Sequence, residues 1–113
     1  QKGSLVDEAK TRFDFSHDKP VTPDQMREIE AIVNEHIAAN FPVSAHVVPL
    51  PEAKQLPGVR AVFGEKYPDP VRVVVIGTDS LDRTTAEMSI EFCGGTHLRS
   101  TGQIGLFKLI SQE

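Results

Sequence analysis

The chain has 113 residues, 39% apolar and 25% charged, an ordinary balance for one folded domain around a single core. Twelve Lys and Arg against sixteen Asp and Glu give a formal net charge of −4, which argues against sequence-independent neutralisation of nucleic-acid phosphates as the main task but leaves room for a nucleic acid gripped locally. A single cysteine excludes an internal disulfide, and the longest apolar run, Val73-Val74-Val75-Ile76, is far too short to cross a bilayer, so a cytoplasmic location without a membrane partner is expected.

Residues 2–6 and 11–16 read as two short strands around the polar turn Asp7-Glu8-Ala9-Lys10. In the second, Phe13 and Phe15 alternate with Arg12, Asp14 and Ser16, which makes both rings core candidates. His17 falls in the loop that ends at Pro20. The clearest helix follows: Thr22 is a good N-cap, Pro23 suits the first helical position and Gln25 completes a capping box. Met26, Ile29, Val33 and Ile37 recur at three and four residues, with Ile32 widening the stripe, while His36 lies off it and reads as surface. Asn40 suits a left-handed stop, and Pro42 forbids continuation.

Residues 43–50 form a strand in which Val43, Ala45 and Val47 share one face and Ser44, His46 and Val48 the other. Pro49 and Pro51 end it, and residues 52–56 allow one or two helical turns. Residues 60–67 are a compact apolar and charged stretch closed by Pro68-Asp69-Pro70. Residues 71–76, rich in valine, imply a central strand covered on both faces. A polar connection over 77–85, a strand at 89–92 and a last strand at 104–110 complete the chain. The fold class is α+β, with one mainly antiparallel sheet of five or six strands carrying a long and a short helix on a single face.

Between the last two strands lies Cys93-Gly94-Gly95-Thr96-His97. A thiolate and an imidazole at this spacing can reach one Zn²⁺, and the glycines let the backbone turn sharply or approach a ligand closely. Two ligands leave the site incomplete, because a structural zinc takes four and a catalytic one three plus water. The other histidines are scattered, so an Asp or Glu, or residues outside this chain, must supply the rest. A redox or nucleophilic Cys93–His97 pair calls for an electropositive, partly exposed thiol, which Glu91 and the acidic balance do not favour.

The strings Gln1-Lys2-Gly3-Ser4-Leu5-Val6, Arg12-Phe13-Asp14-Phe15-Ser16-His17, Phe63-Gly64-Glu65-Lys66-Tyr67, Phe92-Cys93-Gly94-Gly95-Thr96-His97 and Thr101-Gly102-Gln103-Ile104-Gly105-Leu106-Phe107 run in this order. Together they resemble the editing domain of bacterial-type alanyl-tRNA synthetases over essentially the whole chain. The resemblance implies a fold shared with the second N-terminal domain of threonyl-tRNA synthetases. It also implies that residues 1–113 form a single domain, a fragment lacking the H-x-x-x-H motif that would precede Gln1. The implied activity is hydrolysis of the ester in mischarged Ser-tRNA(Ala) or Gly-tRNA(Ala). The implied partners are the acceptor end of tRNA(Ala) and the remaining domains of a parent synthetase, whose aminoacylation domain alone would use ATP. Cys93 and His97 match the C-x-x-x-H half of the family's zinc site. Gln1 matches a glutamine lining the editing pocket, and Gly94 and Gly95 match a glycine pair beside it, so these three are the expected catalytic residues. The fragment is accordingly expected to hold zinc loosely or not at all and to hydrolyse little. Competing expectations are a free-standing editing protein, and a non-catalytic RNA-binding or structural module in which Cys93 and His97 only pack.

Overall fold

The computed structural model describes residues 2–61 and 65–113. Strands β1 (Gly3–Val6) and β2 (Thr11–Asp14) pair antiparallel across a turn in which Asp7 Oδ1 accepts the N–H groups of Ala9 and Lys10, both at 2.8 Å. This local carboxylate-to-backbone bonding is what favours Asp in turns. The expectation that Phe13 and Phe15 enter the core is corrected. The rings are 64% and 50% exposed and lie against one another, with centroids 6.0 Å apart. The hairpin is a two-stranded sheet separate from the main one, so its alternation is real but its apolar face meets no core layer among the described residues.

Helix α1 (Pro23–Ala39) starts and stops where the local signals place it. The Thr22 hydroxyl accepts the Gln25 N–H at 3.1 Å and the Gln25 side chain accepts the Thr22 N–H at 2.9 Å, satisfying two donors that a helix start leaves unpaired. Asn40 caps the other end at φ 52° and ψ 51°, with its N–H on the Ile37 carbonyl.

Strand β3 (Val43–Val48), the short helix α2 (Leu50–Ala53), strand β4 (Val71–Ile76) and strand β5 (Ser89–Phe92) build the main unit. Its sheet is antiparallel throughout, in the order β3-β4-β5. Val48, Ala53, Val71, Val73, Val75 and Ile90 form the buried core, with Leu50, Leu56, Val59, Tyr67, Met88 and Phe92 packed around it. Each such valine contributes roughly 1.5–3 kcal/mol of burial. Val74, on the opposite face of β4, is also buried, so the central strand is covered on both sides as its composition implies.

The architecture is therefore α+β, and the five strands among the described residues are divided between two sheets rather than joined in one. On β3 the face of Ser44, His46 and Val48 is the more buried one. Val47 is 72% exposed, whereas Val48 is buried opposite Val71 and His46 is half-buried opposite Val73. Polar residues are tolerated on that face because they are bonded: Ser44 Oγ donates to the Thr78 carbonyl at 2.8 Å and lies 2.9 Å from His46 Nε2.

The strand expected over 104–110 does not form. Residues Thr101–Ile104 make a 3-10 turn, and the backbone beyond runs along α1 without joining a sheet. The turn is pinned by the buried Thr101, whose hydroxyl donates to the His36 carbonyl at 2.6 Å and accepts the Phe41 N–H at 2.8 Å. No described helix is long and apolar enough to cross a membrane.

Candidate functional site

Cys93 follows β5 directly, and its N–H donates to the Arg72 carbonyl at 3.1 Å, carrying the β4–β5 ladder one step past the strand. This rigid attachment leaves a half-buried thiol at the rim of an open cavity of about 140 Å³. Tyr67, Pro68, Phe92, Arg72 and Gly94 line the cavity with it. Tyr67 and Phe92 meet edge to face, with centroids 4.9 Å apart and planes at 84°, an arrangement favoured by the ring quadrupoles.

Past Cys93 the chain leaves regular structure, and residues 94–97 are exposed. Three contacts shape this segment. Arg72 Nη1 donates to the Cys93 carbonyl at 2.9 Å and to the Gly95 carbonyl at 2.7 Å. The same Gly95 oxygen lies 3.1 Å from His97 Nδ1. A carbonyl can only accept, so Nδ1 is the donor of this contact, and in the neutral ring Nε2 keeps the lone pair. That is the tautomer and the outer contact a metal-binding imidazole needs. Among the described residues no hydrogen bond joins Cys93 Sγ to the His97 ring, so no contact marks the two as a nucleophilic dyad.

The glycine pair has a different reason from a sharp turn. Neither Gly94 nor Gly95 takes a left-handed φ. A methyl built on Gly94 would meet nothing within 4 Å, and one on Gly95 would sit 3.6 Å from Cys93 Sγ, an ordinary contact. The protein itself fills no space over Gly94, which leaves the backbone there open to close approach.

The donor chemistry of Cys93 and His97 fits two of the positions around a zinc ion. Among the described residues no group of three His, Cys, Asp or Glu side chains is placed to hold a metal. The other histidines are engaged elsewhere: His17 lies 3.9 Å from Asp18, His36 packs edge-on against Phe41, and His46 bonds Ser44. Gln1 lies outside the described residues, as do Val62, Phe63 and Gly64, so only the Glu65-Lys66-Tyr67 half of that motif can be placed. Arg72 escaped the sequence reading. Its signal was a lone cation in an otherwise apolar central strand, a place where charged side chains are rare unless partnered.

Residues 71–113, which include β4, β5 and the whole Cys93–His97 segment, match the family described as the threonyl and alanyl tRNA synthetase second additional domain. The candidate site thus lies wholly within the stretch that is similar to that family. Along its full length the chain is similar to a part of alanine--tRNA ligases. It is 56% identical over 113 residues to the enzyme of Methylobacillus flagellatus and 50% identical over 112 residues to that of Francisella tularensis subsp. novicida. It is 47% identical over 120 aligned residues to the mitochondrial enzyme of Saccharomyces cerevisiae. These matches cover 99–100% of the chain but only 12% of each relative, so the chain spans about an eighth of their length.

Proposed function

We propose that this chain is part of the editing apparatus of an alanine--tRNA ligase, hydrolysing the ester that joins serine or glycine to tRNA(Ala). The observation that carries the reading is the His97 Nδ1–Gly95 carbonyl contact, which leaves Nε2 available on a residue four positions from the half-buried Cys93 at a cavity. Cys93 and His97 would hold half of a zinc site, the H-x-x-x-H motif upstream in the parent supplying the other half. Bound zinc would supply Lewis-acid polarisation or an activated water, or would anchor the substrate's 3′ end.

The remaining work falls to the chain itself. Cys93 is held by the sheet, and His97 is aimed by the Gly95 carbonyl. The open space over Gly94 admits the ester close to backbone N–H groups, which can stabilise the oxyanion that develops on its carbonyl. Gln1 would line the amino-acid pocket. Sparing alanine while cleaving serine requires polar groups that bond the extra hydroxyl, because polar recognition discriminates much better than one missing methylene. The partners are the acceptor end of tRNA(Ala) and the other domains of the parent, where ATP-dependent alanine transfer takes place in the cytoplasm.

In the full-length enzyme, Cys93→Ala and His97→Ala should each lower Ser-tRNA(Ala) hydrolysis at least about tenfold while aminoacylation persists. Hydrolysis at the wild-type rate in both variants would refute the reading.

A further inference from the structure

Residues 94–97 carry the ligand-presenting geometry, yet they are exposed, lie outside regular structure and include two adjacent glycines. Such a segment holds one conformation only if something outside it does the holding. The structure points to a single side chain. Arg72 stands on the central strand β4 between the buried Val71 and Val73, so its base is fixed by the core. Its Nη1 reaches over the strand end to two carbonyls, at 2.9 Å for Cys93 and 2.7 Å for Gly95. Bonds from a cation to neutral acceptors are shorter and stronger than neutral pairs. Among the described residues Arg72 makes no ion pair, so its charge is not spent on a carboxylate.

The second carbonyl is the informative one. The Gly95 oxygen accepts from Arg72 on one side and from His97 Nδ1 on the other. The direction of the imidazole is thereby tied, through one peptide oxygen, to a guanidinium anchored in the sheet. The first carbonyl belongs to Cys93 itself, so the same nitrogen also fixes the peptide that follows the thiol. We propose that Arg72 is a positioning residue that clamps the Cys93 and Gly95 carbonyls and so sets the geometry in which Cys93 Sγ and His97 Nε2 are presented to a metal. Its effect on hydrolysis rests on the editing reading above, whereas its effect on metal binding does not.

The test uses the full-length enzyme with cobalt(II) in place of zinc, with Arg72 replaced by Lys, Gln or Met. Lysine keeps one cationic nitrogen, glutamine keeps a neutral donor of shorter reach, and methionine keeps bulk without a donor. Cobalt affinity and the Cys93-dependent thiolate-to-cobalt band should deteriorate in the order Lys, Gln, Met. The Met variant should lose at least about tenfold in affinity, as outer contacts of metal ligands do. kcat for Ser-tRNA(Ala) hydrolysis should fall in the same order with KM unchanged. A thermal melt identifies the folded variants, and the order is read among those. Equal affinity and an unchanged band across the folded variants overturn the clamp and leave the editing reading standing. A wild-type enzyme that shows the band but leaves Ser-tRNA(Ala) intact overturns the editing reading and leaves the clamp standing. A wild-type enzyme without a Cys93-dependent band overturns both.

Discussion

The side-chain amide of Asn34 grips the backbone of Phe107: Nδ2 donates to the Phe107 carbonyl at 2.9 Å and Oδ1 accepts the Phe107 N–H at 2.9 Å. One residue of α1 thus takes the place of a neighbouring strand for a segment that has none. Gln112 adds a second tie, donating to the Val21 carbonyl and accepting the Val21 N–H at 2.8 Å. The Lys108–Glu30 ion pair at 3.6 Å, with the lysine largely exposed, adds little.

Removing the grip should therefore loosen the C-terminal segment. Asn34→Ala deletes two part-buried hydrogen bonds worth about 1 kcal/mol each, so the urea midpoint should fall by the equivalent of about 2 kcal/mol. The Phe107 amide should lose its protection against hydrogen exchange at the same time. An unchanged midpoint with a protected Phe107 amide would contradict the assignment.

The same contact explains what the sequence could and could not reveal. Helix α1 was legible to the residue because its limits are set locally, by the Thr22–Gln25 box and by Asn40. The buried β4 was legible from its valines. The C-terminal strand was misread because residues 104–110 have strand-like composition but find their partner in a side chain 73 positions away. In β3, alternation separates two faces without saying which one is covered. Val43, Ala45 and Val47 are the more apolar set, yet the set with Ser44, His46 and Val48 turns inward, because Val48 packs into the core and hydrogen bonds satisfy Ser44 and His46. Phe13 and Phe15 show the same limit, since alternation predicts a shared face but not whether a layer covers it. At the site, Cys93 and His97 stand out because their spacing is chemically specific. Arg72 does not, because its meaning lies in two carbonyls more than twenty residues further along the chain.

The hairpin turn carries a pH dependence of known sign. Backbone N–H groups of Lys10 and Ala9 hold the exposed Asp7 carboxyl below its ordinary 3.8. A group whose folded pKa is depressed stabilises the fold above its unfolded pKa and ceases to do so as pH falls through the folded value. The Ala9 and Lys10 amide signals should therefore titrate together with a midpoint below 3.8, and Asp7→Asn should abolish that transition. A midpoint at or above 3.8 would contradict the turn geometry.

Zinc content tests the half-site most directly. Cys93 and His97 would supply two ligands, and among the described residues no group of three potential donors is placed to hold a metal. The 113-residue chain should bind zinc weakly and release it to a mild chelator, whereas a chain extended upstream through the H-x-x-x-H motif should retain one zinc per molecule and lose it on Cys93→Ala. Stoichiometric, chelator-resistant zinc in the 113-residue chain would contradict the half-site, as would an extended chain that binds none.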